Sequence, residues 1–307
     1  MRREPPFFSI IIPTYSRAAQ LAACLEAIAR LDYPRDRFEI IVVDDGSRRP
    51  PHEEIAAVRS RLDVKLLAGR HSGPAAARNR GAACARGDYF VFTDDDCLPQ
   101  ERWLRAFAAH FADAPHRLAG GRTLNALARN PYSATSQAII DVVYEHFNTT
   151  GDALFFASNN FAVPAEGFRR VGGFDERFHT SEDREFCDRW TQKGLRMSYV
   201  PEALIYHAHP LTLRTLWLQH FGYGRGAFRF HRARRSRLSD SRIKPDPRFY
   251  LKLLTHQLRR EKGGRALLLT ALVCWTQVAS TAGFARELLA AASASSKRRP
   301  RGEVVRG

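Results

Sequence analysis

The stretch YFVFTDDDCLPQ, residues Tyr89–Gln100, places three consecutive aspartates directly after an apolar run that is typical of a core strand. Three adjacent carboxylates repel one another, and burying them is costly unless a cation or a positive side chain compensates their charge. Taken alone, Asp94, Asp95 and Asp96 could equally form a solvated turn. The patterns on either side of the triplet decide between a turn and a ligand-binding site.

Strand and helix patterns alternate through the first half of the chain, and each strand pattern is a nearly continuous apolar run. Because such runs suit strands that are buried on both faces, they predict a parallel sheet covered by helices on both sides. The predicted fold class is therefore α/β. The expected strands are Phe7–Pro13, Arg37–Ser47, Val64–Ala68 and Tyr89–Thr93, and the expected helices are Ala18–Leu31, Glu53–Arg61 and Pro74–Ala85.

Polar residues follow the ends of three of these strands, as PTYSR, DDGS and DDDC. In open α/β sheets ligands bind at the carboxyl edge, so Asp44 and Asp45 should meet the aspartate triplet there. If the fourth strand continued through the triplet, Asp94 and Asp96 would share one face and Asp95 would point to the other. Two carboxylates that converge beside a phosphate-bearing ligand typically hold Mg²⁺ or Mn²⁺. The sequence therefore favours a metal site over a solvated turn.

Six segments of the chain resemble, in the same order, segments of the family 2 glycosyltransferases. They cover roughly residues 7–210 and read SIIIPTYSR, IIVVDDGS, GPAAARNRGAACARGDYFVFTDDDCLP, ASNNFAVPAEGFRRVGGFDERF, SEDREFCDRW and YVPEALIYHAH. A single piece such as DDGS is a weak signal, whereas six pieces in register are specific. The resemblance implies a GT-A fold, a nucleotide-diphosphate-sugar donor, a divalent cation and inversion at the anomeric carbon.

The resemblance also implies which residues bind the donor nucleotide. They are Pro13 and Tyr15 in the nucleobase pocket, Asp45 as a hydrogen-bond acceptor for the base, and Arg17 and Arg78 near the nucleotide. Asp44 is predicted instead to cap the turn formed by the DGS residues that follow it.

The aspartate triplet matches the DxD motif of the family. Asp96 is implied to bind the metal with Asp94 as its partner, and Asp95 is implied to turn towards the ribose. His207 matches a position where related enzymes often carry a histidine near the metal and the diphosphate, although His207 and His209 could also be ordinary polar residues at a strand end. The implied cofactor is Mg²⁺ or Mn²⁺.

The pair Glu182 and Asp183 is implied to be catalytic, with Asp183 as the general base. A sugar hydroxyl is a poor nucleophile, so a carboxylate must take its proton as the new bond forms. Acids in the first turn of a helix also favour the helix dipole, which is a plainer explanation that the family context outweighs. On the acceptor side, Asn159 and Asn160 could shape the acceptor site or form a turn, and Trp190 could stack on the acceptor or belong to the core.

Processive synthases of this family carry Q-x-x-R-W after the catalytic acids. The corresponding stretch here is WLQHFGYGRG, in which Gln219 is present but Gly222 and Tyr223 replace the Arg-Trp pair. The predicted function is therefore the transfer of one sugar to a hydroxyl of a glycan or a lipid-linked acceptor. The alternatives are a processive polysaccharide synthase and a non-catalytic basic protein that binds a membrane or a nucleic acid.

The net charge of +16 belongs entirely to the last third of the chain. Residues 1–210 hold 27 Lys+Arg and 27 Asp+Glu, whereas residues 211–307 hold 21 basic and 5 acidic residues. Because no nucleic-acid-binding motif accompanies this excess, an anionic membrane surface is the predicted partner. The predicted division is a nucleotide-sugar-binding half (1–115), an acceptor-binding and catalytic half (116–210) and a basic helical region for membrane attachment (211–307).

Ala266–Ala285 contains no charged residue and would form a helix of about 30 Å, enough to cross a bilayer core. Thr270, Cys274, Gln277 and Thr281 form a polar stripe along one face of that helix. The stripe suits a helix that lies in the membrane interface or packs on another helix better than a lone span. Peripheral or monotopic attachment is therefore expected, and the alternative is a soluble helix that covers the catalytic domain.

The five cysteines are widely spaced and include no CxxC pair, which argues against a disulfide framework or a zinc site and for a reducing compartment. The run FFSIII before Pro13 is too short for the apolar region of a signal peptide. The predicted location is therefore the cytoplasmic face of the cell membrane.

Overall fold

The computed structural model describes residues 4–148, 153–238 and 246–297, and these contain eight strands and ten α-helices. The strands are β1 (Phe8–Thr14), β2 (Phe38–Asp44), β3 (Val64–Ala68), β4 (Tyr89–Thr93), β5 (Cys97–Pro99), β6 (Leu118–Asn125), β7 (Asn160–Pro164) and β8 (Met197–His207). The helices are α1 (Ala18–Ile28), α2 (His52–Ala56), α3 (Pro74–Ala83), α4 (Trp103–Asp113), α5 (Pro131–Phe147), α6 (Ala165–Val171), α7 (Glu182–Gln192), α8 (Leu213–Arg237), α9 (Pro247–Arg260) and α10 (Gly263–Lys297).

The strands form one sheet in the order β3-β2-β1-β4-β7-β6-β8-β5. The first four of these are parallel, as the apolar runs predicted. β7 is antiparallel to β4 and β6, and β5 is antiparallel to β8, so the sheet as a whole is mixed. Strands from both predicted halves of the region before residue 210 belong to this sheet. The division into 1–115, 116–210 and 211–307 stays a prediction.

The sequence placed the elements of the first half closely. β3 and β4 have the expected bounds, and α3 begins with Pro74 in its first turn, where the missing N–H costs no helical hydrogen bond. α2 is shorter than expected, because the chain leaves the helix after Ala56 and continues as turns. α1 ends at Ile28 instead of Leu31, and β2 ends at Asp44 instead of Ser47.

The core lies on both faces of the sheet, which is why the strands are continuous apolar runs. Ile10 and Ile12 of β1 pack on one face with Leu21 of α1, while Ile11 packs on the other face with Ala77 of α3. All five side chains are fully buried. Burial of each side chain of the size of isoleucine contributes about 1.5–3 kcal/mol to the stability of the fold. These strands therefore form a stable framework that positions the polar residues at their ends.

The basic helical region predicted for residues 211–307 begins with α8, which crosses α10 at very short range. A Cβ added at Gly224 would lie 1.9 Å from the carbonyl oxygen of Ser280, and one added at Gly283 would lie 2.0 Å from that of Phe221. Only glycine permits such an approach. The arginine-rich connector that follows α8 includes residues 239–245, which lie outside the described residues, as do residues 298–307.

The charge-free run expected for Ala266–Ala285 lies within α10. One face of α10 is buried against α8, α9 and α5, and it includes Leu269, Val273 and Thr276. Of the predicted polar stripe, Cys274 is exposed and Gln277 is partly buried. The opposite face exposes large apolar side chains, namely Leu267, Leu268, Trp275 and Val278. Among the described residues, α10 is the one helix long and apolar enough to cross a membrane, by length and composition.

Candidate active site

A cavity of about 700 Å³ opens at the carboxyl ends of β1, β2 and β4, and it is also lined by the start of α7 and by parts of α5, α8, α9 and α10. Most of the predicted site residues line it. They are Pro13, Tyr15, Arg17, Asp45, Arg78, Asp94, Asp95, Asn159, Glu182, Asp183 and His207.

The aspartate triplet forms a turn between β4, which ends at Thr93, and β5, so the alternation of faces expected from a continued strand does not occur. Asp94 Oδ1 accepts a hydrogen bond from the Arg78 guanidinium at 2.6 Å. Asp95 Oδ2 accepts one from the Thr14 hydroxyl at 2.7 Å. Burial raises the pKa of Asp95 to about 6, although the hydrogen bond from Thr14 acts to lower it. Asp94 and Asp95 thus bind different side chains.

Arg17, the last residue of PTYSR, compensates two of the three charges. Its guanidinium lies 3.2 Å from Asp95 Oδ1 and 3.1 Å from Asp96 Oδ2. The arginine side chain is 44% exposed and lines the cavity, whereas the two carboxylates are almost completely buried. Arg17 therefore presents positive charge to the cavity.

Asp96 is paired with two histidines. Asp96 Oδ1 lies 3.1 Å from His207 Nε2, and Oδ2 lies 3.1 Å from His209 Nδ1. The antiparallel pairing of β5 with β8 produces this cluster, because it sets Cys97 opposite His207 and lets the Ala208 N–H donate to the Asp96 carbonyl at 2.8 Å. One carboxylate oxygen and two imidazole nitrogens lie within 4.8 Å of one another and could hold a metal ion.

The chemistry of this donor set fits a divalent cation. Burial opposes the charged form of Asp96, yet hydrogen bonds from the two histidines hold the pKa of Asp96 well below its usual range. Burial likewise opposes the charged form of His207, and Asp96 nevertheless raises the pKa of that imidazole. A cation could replace the protons that these rings share with Asp96. Mixed nitrogen and oxygen ligands suit Mn²⁺ better than Mg²⁺, which prefers oxygen.

The ligand set differs from the one predicted in one member. Asp94 is turned to Arg78 and is not part of the cluster, whereas His209 joins Asp96 and His207. The signal for His209 was the spacing H-x-H at the end of an apolar strand, since alternate residues of an extended chain point to the same face. The two imidazole rings are indeed stacked, with centroids 5.1 Å apart.

Asp45 anchors the loop that precedes α3. Its carboxylate accepts hydrogen bonds from the N–H of Ser72 at 3.0 Å, the N–H of Gly73 at 2.8 Å and the guanidinium of Arg80 at 2.8 Å. Asp44 caps the turn after β2, as predicted, by accepting a hydrogen bond from the Ser47 N–H at 3.2 Å.

Tyr15 forms an outer wall of the cavity together with His71, a residue that the sequence did not indicate. The Tyr15 ring is 48% exposed and its centroid lies 4.3 Å from that of His71. Both rings line the cavity next to Pro13. The pair offers a flat aromatic surface of the kind on which a nucleobase stacks.

Asp183 lies in the first turn of α7, where the plainer explanation placed it, and it also lines the cavity. Its Oδ2 accepts a hydrogen bond from the Ser158 N–H at 3.3 Å, and its Oδ1 accepts one from the Arg184 N–H at 2.7 Å. Burial and the negative charge of Glu182 raise the pKa of Asp183 to about 7. A carboxyl group with that pKa can exchange a proton near neutral pH.

Glu182 has a different partner from its neighbour. Its Oε1 accepts a hydrogen bond at 2.9 Å from Arg78, whose other terminal nitrogen binds Asp94. Arg78 is 3% exposed, so a buried cation links the aspartate triplet to the start of α7. The charge of Glu182 is thereby compensated, and Asp183 remains as the acid without a guanidinium partner in this chain of contacts.

Two of the three residues predicted on the acceptor side are buried and do not line the cavity. Asn160 is fully buried and its amide is used within the protein, accepting from Trp103 Nε1 at 2.8 Å and donating to two carbonyl oxygens. Trp190 is also fully buried, and its indole donates to the Arg196 carbonyl at 3.0 Å, so it belongs to the core. Asn159 does line the cavity, and its Oδ1 has no hydrogen-bond partner among the described residues.

Helix α8 contributes residues to the cavity for which the sequence predicted no role. Gln219 lines the cavity and donates a hydrogen bond from Nε2 to the Tyr223 hydroxyl at 2.8 Å, and His220 lies beside them. The helix is held against the segment before α7, because Thr180 Oγ1 donates to the Gly222 carbonyl at 3.0 Å. The basic C-terminal region is thus part of the site.

Comparison with known proteins identifies the family. Residues 9–178, which are more than half of the chain, match the family model described as Glycosyl transferase family 2. The chain belongs to this family. The chain is 31% identical over 230 residues to a pre-mycofactocin glycosyltransferase of Mycobacterium tuberculosis, which covers 71% of this chain and 46% of the relative. It is 30% identical over 229 residues to a validoxylamine A glucosyltransferase of Streptomyces hygroscopicus subsp. jinggangensis, covering 64% and 54%. The chain therefore spans about half the length of the relatives it matches.

Two solved structures share the fold of this chain. A mannosyltransferase from Pyrobaculum calidifontis in complex with GDP-Man and Mn²⁺ superposes with a TM-score of 0.61 at 23% identity, covering 97% of this chain and 82% of that one. Residues 1–349 of TarS from S. aureus superpose with a TM-score of 0.56 at 17% identity, covering 94% and 92%. The family and the GT-A-like fold predicted from the sequence are thereby confirmed.

Proposed function

We propose that the protein is a metal-dependent, inverting glycosyltransferase that moves one sugar from a nucleotide-diphosphate sugar to a hydroxyl of a glycan or lipid-linked acceptor. The observation that carries this proposal is the convergence on one cavity of His207 and His209, which pair with the buried Asp96, and of an independently held carboxylate, Asp183. The two groups come from different elements, as required if leaving group and base are to lie on opposite sides of the reacting carbon.

The donor nucleotide is proposed to bind at the end of the cavity formed by β1 and β2. The aromatic pair Tyr15 and His71, next to Pro13, would hold the base, and Arg17 would face the diphosphate. The carboxylate of Asp45 already holds the loop before α3, so its contact to the base would use its remaining acceptor capacity. All nucleotide-diphosphate sugars have a base that can stack and a charged diphosphate, so these contacts are compatible with any nucleotide and sugar.

The residues proposed to hold the metal are Asp96, His207 and His209, with Mn²⁺ favoured over Mg²⁺ by the two imidazoles. When bound, a divalent cation supplies charge stabilisation to the departing nucleoside diphosphate without any proton transfer. Arg17 would add a second positive charge from the same side, because its guanidinium lies against both Asp95 and Asp96.

Asp183 is proposed to act as the general base, with Glu182 as its structural partner. The acceptor hydroxyl would donate its proton to a carboxylate oxygen of Asp183 as its own oxygen attacks the anomeric carbon. With a pKa of about 7, a large fraction of Asp183 is ionised and ready to accept a proton at neutral pH. Attack from the face opposite the leaving group inverts the configuration of that carbon.

Attachment to an anionic membrane on the cytoplasmic side is proposed from the surface of the C-terminal helices. Several large apolar side chains of α9 and α10 are exposed, namely Leu251, Leu258, Leu267, Leu268, Val278 and Leu289. Exposed basic side chains lie between them in the chain, namely Arg259, Arg260, Lys262 and Arg265. Each basic residue near such a surface contributes about 1 kcal/mol. Cosedimentation with phosphatidylglycerol vesicles that weakens at high salt is expected, and equal recovery with phosphatidylcholine vesicles would contradict the role of charge.

The proposed function is tested by screening a panel of UDP-, GDP- and dTDP-sugars for donor turnover with Mn²⁺, Mg²⁺ or EDTA. We expect turnover of one donor that EDTA abolishes and Mn²⁺ restores. Asp183→Asn should still bind that donor but lose transfer, whereas the control Asp113→Asn, at an exposed position in α4, should retain it. NMR of the product should show an inverted anomeric centre. Metal-independent transfer, retention of configuration or full activity of Asp183→Asn would each refute the corresponding part of the proposal.

A further inference from the structure

We infer that the acceptor is amphiphilic, with its reactive hydroxyl close to an apolar group such as an alkyl or isoprenyl chain. This inference rests on the proposed function, because it names the acceptor class of the same site. It is carried by three features that meet in one cavity, namely Asp183, a set of unpartnered polar atoms and an extended apolar wall.

The apolar wall consists of five residues of α5 and α9: Ile139, Ile140, Val143, Phe249 and Leu253. Several of them also belong to a small apolar cluster that joins α5, α9 and α10 and is separate from the two clusters beside the sheet. In that cluster Val142 and Val273 are fully buried and support the wall from behind. The base of the donor is proposed to stack on Tyr15 and His71, and the rest of a nucleotide-diphosphate sugar offers mainly hydroxyls and phosphates, so this wall is available to another ligand.

The apolar wall is close to the proposed base because α5 supports the loop that binds it. The Tyr144 hydroxyl of α5 accepts a hydrogen bond from the Ala157 N–H at 3.0 Å. The next N–H along the chain, that of Ser158, donates to Asp183. Val143 of the wall directly precedes Tyr144 in α5. Because Asp183 and the wall line the same cavity, an acceptor whose hydroxyl reaches Asp183 can place its neighbouring atoms against the wall.

Polar atoms without partners line the same cavity. Among the described residues, Asn159 Oδ1, Gln219 Oε1 and His220 Nε2 are buried and make no hydrogen bond. His220 is 4% exposed, and burial lowers the pKa of its imidazole to about 4, so the ring is neutral and has one nitrogen able to accept. Buried polar atoms left without partners are costly, and hydroxyl groups of a bound sugar would satisfy them.

The position of α9 favours a lipid as the source of the apolar group. Phe249 and Leu253 of α9 line the cavity, whereas Leu251, Leu254 and Leu258 of the same helix are exposed on the surface proposed to meet the membrane. One helix thus borders both the cavity and the proposed lipid surface. An apolar chain that leaves the cavity along α9 would remain in apolar surroundings.

The inference is tested by the binding of octyl and methyl β-D-glucoside, both monomeric in solution, to the full chain by calorimetry. Octyl glucoside should bind at least tenfold more tightly than methyl glucoside. Phe249→Ala should remove most of that difference, and the matched control Tyr250→Ala, whose ring is exposed on the same helix, should preserve it. Val143→Thr, of nearly equal size, should narrow the difference as well, and it serves if Phe249→Ala fails to fold. Equal binding of the two glucosides, or an unchanged difference in both cavity variants, would overturn the inference.

A transfer assay with the donor found in the panel then separates this inference from the proposed function. Octyl glycosides in solution and a glycosyl diacylglycerol in mixed phosphatidylcholine–phosphatidylglycerol vesicles are the two acceptor arms, and faster transfer to one of them identifies the source of the apolar group. Transfer with equal efficiency to methyl and octyl glycosides would refute the inference and leave the glycosyltransferase intact. Selective octyl glucoside binding without turnover of any nucleotide sugar would refute the proposed function and support the amphiphilic site.

Discussion

Gly226 of α8 lies against the segment that leads into the proposed catalytic helix, and its replacement by alanine is expected to lower activity more than stability. A Cβ at this position would lie 2.5 Å from Ser181 Oγ, 2.6 Å from Thr180 Oγ1 and 2.8 Å from the Thr180 carbonyl oxygen. The two hydroxyls can rotate away, but the carbonyl belongs to the backbone. Relief of that contact requires the backbone to move by about 0.6 Å, judged against ordinary contacts of about 3.4 Å.

The segment that must move has little freedom. Ser181 holds a φ of 66°, in the left-handed region that few residues other than glycine adopt, and Asp183 follows two residues later. Overpacking typically costs about 1–3 kcal/mol, and alanine regains up to about 1 kcal/mol over glycine within a helix. The net loss should be about 1 kcal/mol, which lowers Tm by roughly 2–4 °C.

The effect on activity should be larger, because displacement of a reacting group by about 1 Å can cost 10²-fold in rate. We expect Gly226→Ala to reduce kcat by about 10–100-fold, with little change in donor affinity. Gly222→Ala is the matched control, since its added Cβ would meet only Thr180 Cγ2 at 3.6 Å, an ordinary contact. Steady-state transfer kinetics and thermal unfolding of both variants give the answer. A Gly226→Ala protein with normal kcat would refute the coupling of α8 to Asp183.

Three further predictions concern the charges of the cavity. The value of kcat/KM should rise with pH through about 7 and then level, because burial and Glu182 raise the pKa of Asp183 and only its ionised form accepts a proton. Arg78 and Arg184 face the same carboxylate. A flat profile between pH 5.5 and 8 would contradict the role of Asp183 as general base. His209→Ala should weaken Mn²⁺ binding at least tenfold by calorimetry, whereas the exposed His116→Ala should bind normally, and equal affinities would remove His209 from the site. Arg78→Met should lower the free energy of unfolding by about 3 kcal/mol, measured in denaturant, because it leaves buried Glu182 without its cation; a loss below about 1 kcal/mol would show that the pair is dispensable.

The sequence by itself determined the strands of the first half and the polar residues at their ends. The runs at β1, β2 and β4 are mostly apolar because those strands are buried on both faces, whereas the edge strand β3 carries the exposed Lys65. The acids at the carboxyl edge followed from the same pattern, since an apolar run that stops at DDGS or DDDC places those acids at the ligand-binding edge.

The sequence was ambiguous wherever local chemistry admitted two environments. Asn159 and Asn160 are neighbours of the same type, yet one lines the cavity and the other is buried against Trp103. Trp190 lies on the apolar face of α7, and either a core or a sugar could have covered it. No local pattern distinguishes these outcomes, because each depends on which distant element packs against that face.

Only the tertiary structure decided the proposed metal-ligand set and the far wall of the cavity. Asp96 meets His207 and His209 because β5 pairs antiparallel with β8, a contact across about 110 residues that no local period encodes. Asp94 has the same side chain as Asp96, but it binds Arg78 of α3 instead. The basic helix α8, identified in the sequence by its charge, borders the active site because its glycines allow it to approach both α10 and the segment before Asp183. Charge and apolar periodicity describe each element alone, whereas the geometry of a site depends on which elements pack together.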